Sequence, residues 1–285
     1  MTSLVEPLPA IALAAFGLLY ARRATTLARR GRPVALGKQI SFVAGLAVLA
    51  VALASPLHRV AEERLFWAHM VQHLMIGDLA ALLIVLSLDG RLLRPLLAIR
   101  PIRRLRVLAH PAVALPLWAV NLVAWHIPGA YQAALESPVL HGLEHALFFT
   151  TGALMWAAVL EPLPGPRWFG AGAQAVYVLA VRTVGAALAS VFIWSGHVFY
   201  PAYASGERLS GIAPLTDQQI GGAIMFLEGG VVTLLAFAWA FLRWMRESEE
   251  RRRPTAGARR PRARRAPARA RPAPPPATRR TGGAR

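Results

Sequence analysis

A chain of 285 residues that is 55% hydrophobic and only 16% charged, against about 25% charged in an ordinary soluble domain, reads as a membrane protein. It contains no cysteine, which excludes disulfides, thiolate metal sites, iron–sulfur clusters and covalent CxxCH haem attachment. Any metal must therefore be held by histidine, methionine, carboxylate or backbone. The net charge of +18 is uneven: 15 of the 32 lysines and arginines lie from Arg243 onward, so the basicity belongs to loops and tail rather than to a nucleic-acid-binding face.

The opening MTSLVEPLPA lacks the positive stretch of a signal peptide, and no cleavage is expected. Seven apolar segments follow, at about 4–20, 40–57, 65–88, 107–127, 139–160, 171–195 and 218–242. Each is expected to be a transmembrane helix, because lipid offers no partner to an unpaired backbone group. The first is the weakest, with Pro7 and Pro9 near its start.

Charge in the connections sets the expected orientation. Loop 21–38 carries Arg22, Arg23, Arg29, Arg30, Arg32 and Lys38; loop 89–106 carries Arg91, Arg94, Arg100, Arg103, Arg104 and Arg106; loop 161–170 carries Arg167. The alternate connections hold only Arg59 and Arg64, then none, then Arg208. The positive-inside rule places the N-terminus outside and the C-terminus in the cytoplasm, which agrees with an odd number of spans. Residues 1–245 thus read as a seven-transmembrane helix bundle, an all-α integral membrane protein. Residues 246–285, a near-repetitive run of Arg, Ala and Pro, read as a disordered basic cytoplasmic tail resting on anionic lipid. The tail lacks interleaved aromatics to stack bases, so no nucleic-acid partner is expected.

On this orientation seven of the eight histidines fall on the outer side. His69 and His73 lie four apart on one helix face, about 6 and 12 Å below the outer start of the third span. His126 ends the fourth span, His141 and His145 open the fifth with the same spacing, and His197 follows the sixth. Imidazoles from several helices at one depth point to a metal site. His58 and His110 read as interfacial side chains. Met70, beside the first pair, would bias such a site toward copper, since thioethers select Cu(I). Deeper lie Asp78, Arg182 and Glu228. On an α-helical wheel Asp78 faces away from the histidine pair, while Asp217 and Glu228 share a face. Arg182 is expected to pair with Asp78 or Glu228, or else the three form a proton or ion relay. HGLEH at 141–145 also matches the H-x-x-E-H zinc-hydrolase pattern, in which Glu144 would activate water; alternatively Glu144 orients a neighbouring histidine.

Four stretches together resemble a known family: HMVQH at 69–73, AWHIP at 124–128 with Tyr131, HGLEH at 141–145 and DQQIGG at 217–222. Their order and their multi-span setting are similar to the multi-span cytochrome c oxidase assembly factor CtaG, over roughly 40–245. The resemblance implies a non-enzymatic protein of the bacterial plasma membrane. It implies assistance in maturing a haem–copper oxidase, by supplying copper to the catalytic subunit. Asp78 and Phe226 depart from the pattern, where an apolar residue and Trp are expected. The expected copper ligands are His69, His73, His126, His141, His145 and His197, with Met70, Glu144 and Asp217 in support. Two other readings are a haem b-binding membrane redox protein and a membrane zinc hydrolase.

Overall fold

The computed structural model describes residues 8–63, 65–205 and 211–252, and the described residues are helical with no β-strand. The chain divides by its own contacts into units Met1–Met245 and Arg246–Arg285. Most of the basic tail lies outside the described residues, as do Arg64 and Arg208.

Helix α1 covers Leu8–Arg29, so Arg22, Arg23 and Arg29 extend a helix rather than open a loop. Then come α2 (Leu36–Ala54), α3 (Pro56–Glu63) and α4 (Phe66–Leu74). A π-helical turn at Met75–Ala80 joins α4 directly to α5 (Ala81–Ser87), so the third apolar segment is one 22-residue span with a widened middle. Two short helices, α6 (Gly90–Ala98) and α7 (Arg100–Leu105), carry the arginine-rich connection. They lead into α8 (Pro111–Trp125), α9 (Pro128–Glu136), α10 (Pro138–Leu160), α11 (Ala171–Trp194), α12 (Pro201–Ser205) and α13 (Pro214–Arg252).

The helix starts are written locally. Proline opens α8, α9 and α10 at a position where a missing N–H costs nothing. Asp89 caps α6 by accepting from the N–H groups of Arg91 and Leu92 at 2.9 and 3.0 Å. Glu161 closes α10 in the left-handed region at φ 48°, a conformation rare for a residue with a Cβ.

Among the described residues five helices are long and apolar enough to cross a membrane. They are α2, the α4–α5 unit, α10, α11 and α13, and a sixth span results if the pair Arg100–Ala109 and Pro111–Trp125, bent by 77°, crosses as one. Helix α10 is central, packed against α8, α9, α5 and the π-helical turn. Its Gly152 sits directly against the carbonyl of Gly77 in that turn, so a side chain at 152 would strike backbone. One core layer gathers Trp156, Met155, Val159, Val178 and Phe169. A second, at the other end, gathers Phe66, Met70, Tyr131, Phe192, Tyr200, Tyr203 and Met225. The histidines stand beside this aromatic layer.

Candidate metal centre

The two i, i+4 histidine pairs meet. One ring nitrogen from each of His69, His73, His141 and His145 lies within 4.8 Å of the others, and all four side chains are buried. Helix α4 supplies the first pair and the first two turns of α10 supply the second. Metal–imidazole bonds of about 2.0–2.1 Å put tetrahedral nitrogens roughly 3.3 Å apart, so the widest separation must close by about 1.5 Å for the set to share one ion. The donor chemistry fits zinc, copper, iron or nickel, all of which accept imidazole.

The rings are positioned by neighbours outside the set. His69 Nε2 and His73 Nε2 share a hydrogen bond at 2.8 Å. On its other side His69 Nδ1 meets the Tyr203 hydroxyl at 3.1 Å, and that hydroxyl also lies 3.0 Å from the Tyr131 hydroxyl and donates to the Ala61 carbonyl. Burial raises the pKa of Tyr131, which lies outside the spans, and the neighbouring Tyr203 and Tyr200 add to the shift; the phenol stays protonated and can only exchange hydrogen bonds. Glu144, 1% exposed, places Oε1 3.6 Å from His73 Nε2 and Oε2 3.9 Å from His141 Nε2. These distances are too long for hydrogen bonds, so Glu144 stands beside the imidazoles with both oxygens buried and without a hydrogen-bond partner.

Asp217 acts at one remove. Its Oδ2 and Oδ1 accept from the N–H groups of Phe66 and Trp67 at 2.8 and 3.0 Å, so a residue of α13 caps the start of α4. Leu65, at the N-cap position, contributes no side-chain bond of its own. The remainder of DQQIGG serves the same junction. Gln218 accepts from the N–H of Phe199 and donates to the carbonyl of His197. A Cβ at Gly221 would strike Phe66, and one at Gly222 would strike Phe192 and the Ala189 carbonyl.

The other expected residues fall elsewhere. His126 is buried at the edge of the cluster, its ring centroid 6.4 Å from that of His73; Nδ1 donates to the Leu122 carbonyl at 2.7 Å. His197 lies in an exposed loop whose backbone is tied to Ser195 and Gln218, and its ring meets none of the other imidazoles. Met70 packs in the aromatic layer against α13. His58, set aside on sequence, stands in the cluster's outer wall: its centroid is 6.0 Å from His141 and 6.4 Å from His145, and Nδ1 meets Gln72 Nε2 at 2.9 Å. His110 lies far along the chain's other face beside Trp168, bonding the N–H of Ala112.

Two expectations for the deeper charges are corrected. Arg182 makes no ion pair among the described residues. It donates to the Phe226 carbonyl at 2.9 Å and stacks 4.1 Å above the Phe226 ring, over the bare backbone of Gly230. A carbonyl and a π face together satisfy the guanidinium without a carboxylate. Asp78 does not turn its back on the histidines, because i→i+5 bonding through Met75–Ala80 alters the register that an α-helical wheel assumes. It lines one small cavity with His73, and its Oδ1 accepts from Trp156 Nε1 at 2.7 Å. Glu228 lies within electrostatic reach of Asp78, and its Oε2 makes no hydrogen bond.

The family model for the cytochrome c oxidase caa3 assembly factor, Caa3_CtaG, matches residues 18–247. The chain belongs to that family. The match covers every helix that carries a clustered histidine, and DQQIGG with it. No curated protein and no solved structure matches the chain.

Proposed function

We propose that this member of the caa3 assembly factor family is a copper carrier that loads a haem–copper oxidase. In this reading His69, His73, His141 and His145 hold the ion as cargo and release it to the oxidase catalytic subunit. The observation that carries the reading is the convergence of four buried imidazoles within 4.8 Å, inside a family named for oxidase assembly. Imidazole without thiolate binds copper with moderate strength, which suits delivery better than storage. In this reading the chain crosses a bacterial plasma membrane seven times, with α1 as the first span, and the cluster faces outward. There it is accessible to the partner's own outer-leaflet metal centre. The protein catalyses no reaction in this scheme.

The rivals fit less well. Haem b needs a cavity of the cofactor-sized class, some 300 Å³ or more. The cavity that adjoins the cluster holds about 70 Å³. The roomier one, about 660 Å³, lies at the arginine-rich connection and has His110 as its one histidine. A hydrolytic zinc site keeps an open coordination position on three protein ligands, whereas four imidazoles close the set here.

Copper titration of the purified protein tests the site. His69→Ala/His73→Ala should lose the bound ion, and His197→Ala should bind as the parent does. Full binding by the double variant would move the site elsewhere. Deleting the gene should lower oxidase activity and added copper should restore part of it; unchanged respiration in both conditions would remove the assembly role.

A further inference from the structure

One turn along α4 from the four-histidine cluster, a second set of donors lines a small, partly enclosed space. The cavity of about 70 Å³ is bordered by Met70, His73, Gly77, Asp78, His126 and Met225. It has room for one ion and a water or two, at about 30 Å³ per water, and none for an organic ligand.

Three of its walls carry unused donor capacity. His126 is 6% exposed, and its Nδ1 is committed to the Leu122 carbonyl at 2.7 Å. That bond fixes the proton on Nδ1 and leaves the Nε2 lone pair, which makes no hydrogen bond. A backbone carbonyl behind one ring nitrogen, with the other left bare, is the arrangement by which metal-binding histidines are oriented. Met70 and Met225, 1% and 8% exposed, line the same space from α4 and α13. On the deep side Asp78 contributes a carboxylate already held by Trp156.

We propose that this cavity is a second metal subsite, selective for monovalent copper, with His126 Nε2 and the sulfurs of Met70 and Met225 as its donors. Two thioethers and one imidazole are soft, few and uncharged, which favours Cu(I) over zinc and over divalent copper. The proposal rests on the copper-carrier reading for its cargo but not for its ligands, since none of its three donors belongs to the four-histidine set. His73 borders both sites. An ion can therefore pass between them by exchanging ligands one at a time, without full release and without any change in oxidation state.

The test uses the full chain in detergent under reducing conditions, titrated with Cu(I) against a chelator of known affinity. The parent should bind two equivalents. Met70→Leu/Met225→Leu, a swap that nearly conserves volume, should bind one, and so should His126→Gln. A variant with all four cluster histidines changed to alanine should keep one equivalent, and its X-ray absorption spectrum should show a copper–sulfur shell. The proposal is overturned if the parent's copper lacks a sulfur shell, or if the double methionine variant binds as many ions as the parent. The absorption measurement on the parent decides the matter even if a variant fails to fold. Failure of the four-histidine site alone would leave the sulfur shell and the methionine dependence in place.

Discussion

At the scale of single residues, the centre depends on side chains that would bind no metal themselves. Tyr203 touches His69 Nδ1, and Tyr203→Phe removes that partner while keeping the ring. Loss of such an outer contact commonly weakens metal binding by about 10- to 100-fold. Copper affinity should fall in that range while helical content stays at the parent level. Asp217→Ala strips two backbone N–H groups of their acceptor at the start of α4. The expected cost is about 1–2 kcal/mol, read as a lower unfolding midpoint, with weaker copper binding because His69 sits one turn from the frayed end. The i, i+4 pairs were legible in the sequence because their shared face depends on one helix alone. His58 was not, because its approach relies on Gln72 reaching across from α4. His197 has the right depth, yet its exposure follows from loop bonds made by Ser195 and Gln218, and no spacing rule shows those.

At the scale of elements, the π-helical turn is where reasoning from periodicity failed. A wheel drawn at 3.6 residues per turn sends Asp78 away from His73, while a turn bonded i→i+5 brings it back. The turn is held by the Gly77–Gly152 approach. Gly152→Ala should therefore be among the worst tolerated single-methyl additions in the chain, costing about 3 kcal/mol or more, since a rigid backbone cannot yield as a side chain does. Thermal unfolding of the variant, or its failure to accumulate in membranes, measures this. The α6 corner gives a pH prediction. Burial alone would raise the Asp89 pKa, but the Leu92 N–H, Arg91 and Lys38 outweigh it and hold the carboxyl below its usual 3.8. A lowered folded-state pKa means that the contribution is complete above 3.8 and is lost as pH falls through the lower value. Asp89→Asn should remove that acid sensitivity locally, seen as hydrogen exchange of α6 amides that no longer rises in strong acid.

At the scale of the whole molecule, apolar runs led to the helical fold, because lipid acts on composition and needs no contact map. The sequence did not reveal that the fourth segment is bent by 77° at His110–Pro111, or that the first helix runs on to Arg29. Both depend on how arginine-rich helices lie against neighbours. The proposed topology can be tested cleanly because the chain has no cysteine to confuse labelling. Glu136→Cys and Arg167→Cys fall at exposed positions beyond opposite ends of α10. A thiol reagent that cannot cross membranes should mark the first in intact cells and the second only after permeabilisation. The reverse pattern would invert the bundle and bury the proposed delivery face in the cytoplasm.

The bond between His69 Nε2 and His73 Nε2 has a kinetic corollary. Two neutral imidazoles joined in this way hold one hydrogen between them, and an arriving cation needs both lone pairs. Because Tyr203 donates its one hydrogen to the Ala61 carbonyl, His69 Nδ1 carries a proton and the shared hydrogen belongs to His73; it must first migrate to His73 Nδ1, a buried nitrogen with no hydrogen-bond partner among the described residues. Uptake is thus gated by tautomer exchange. It should slow in deuterium oxide, whereas equilibrium occupancy should change little.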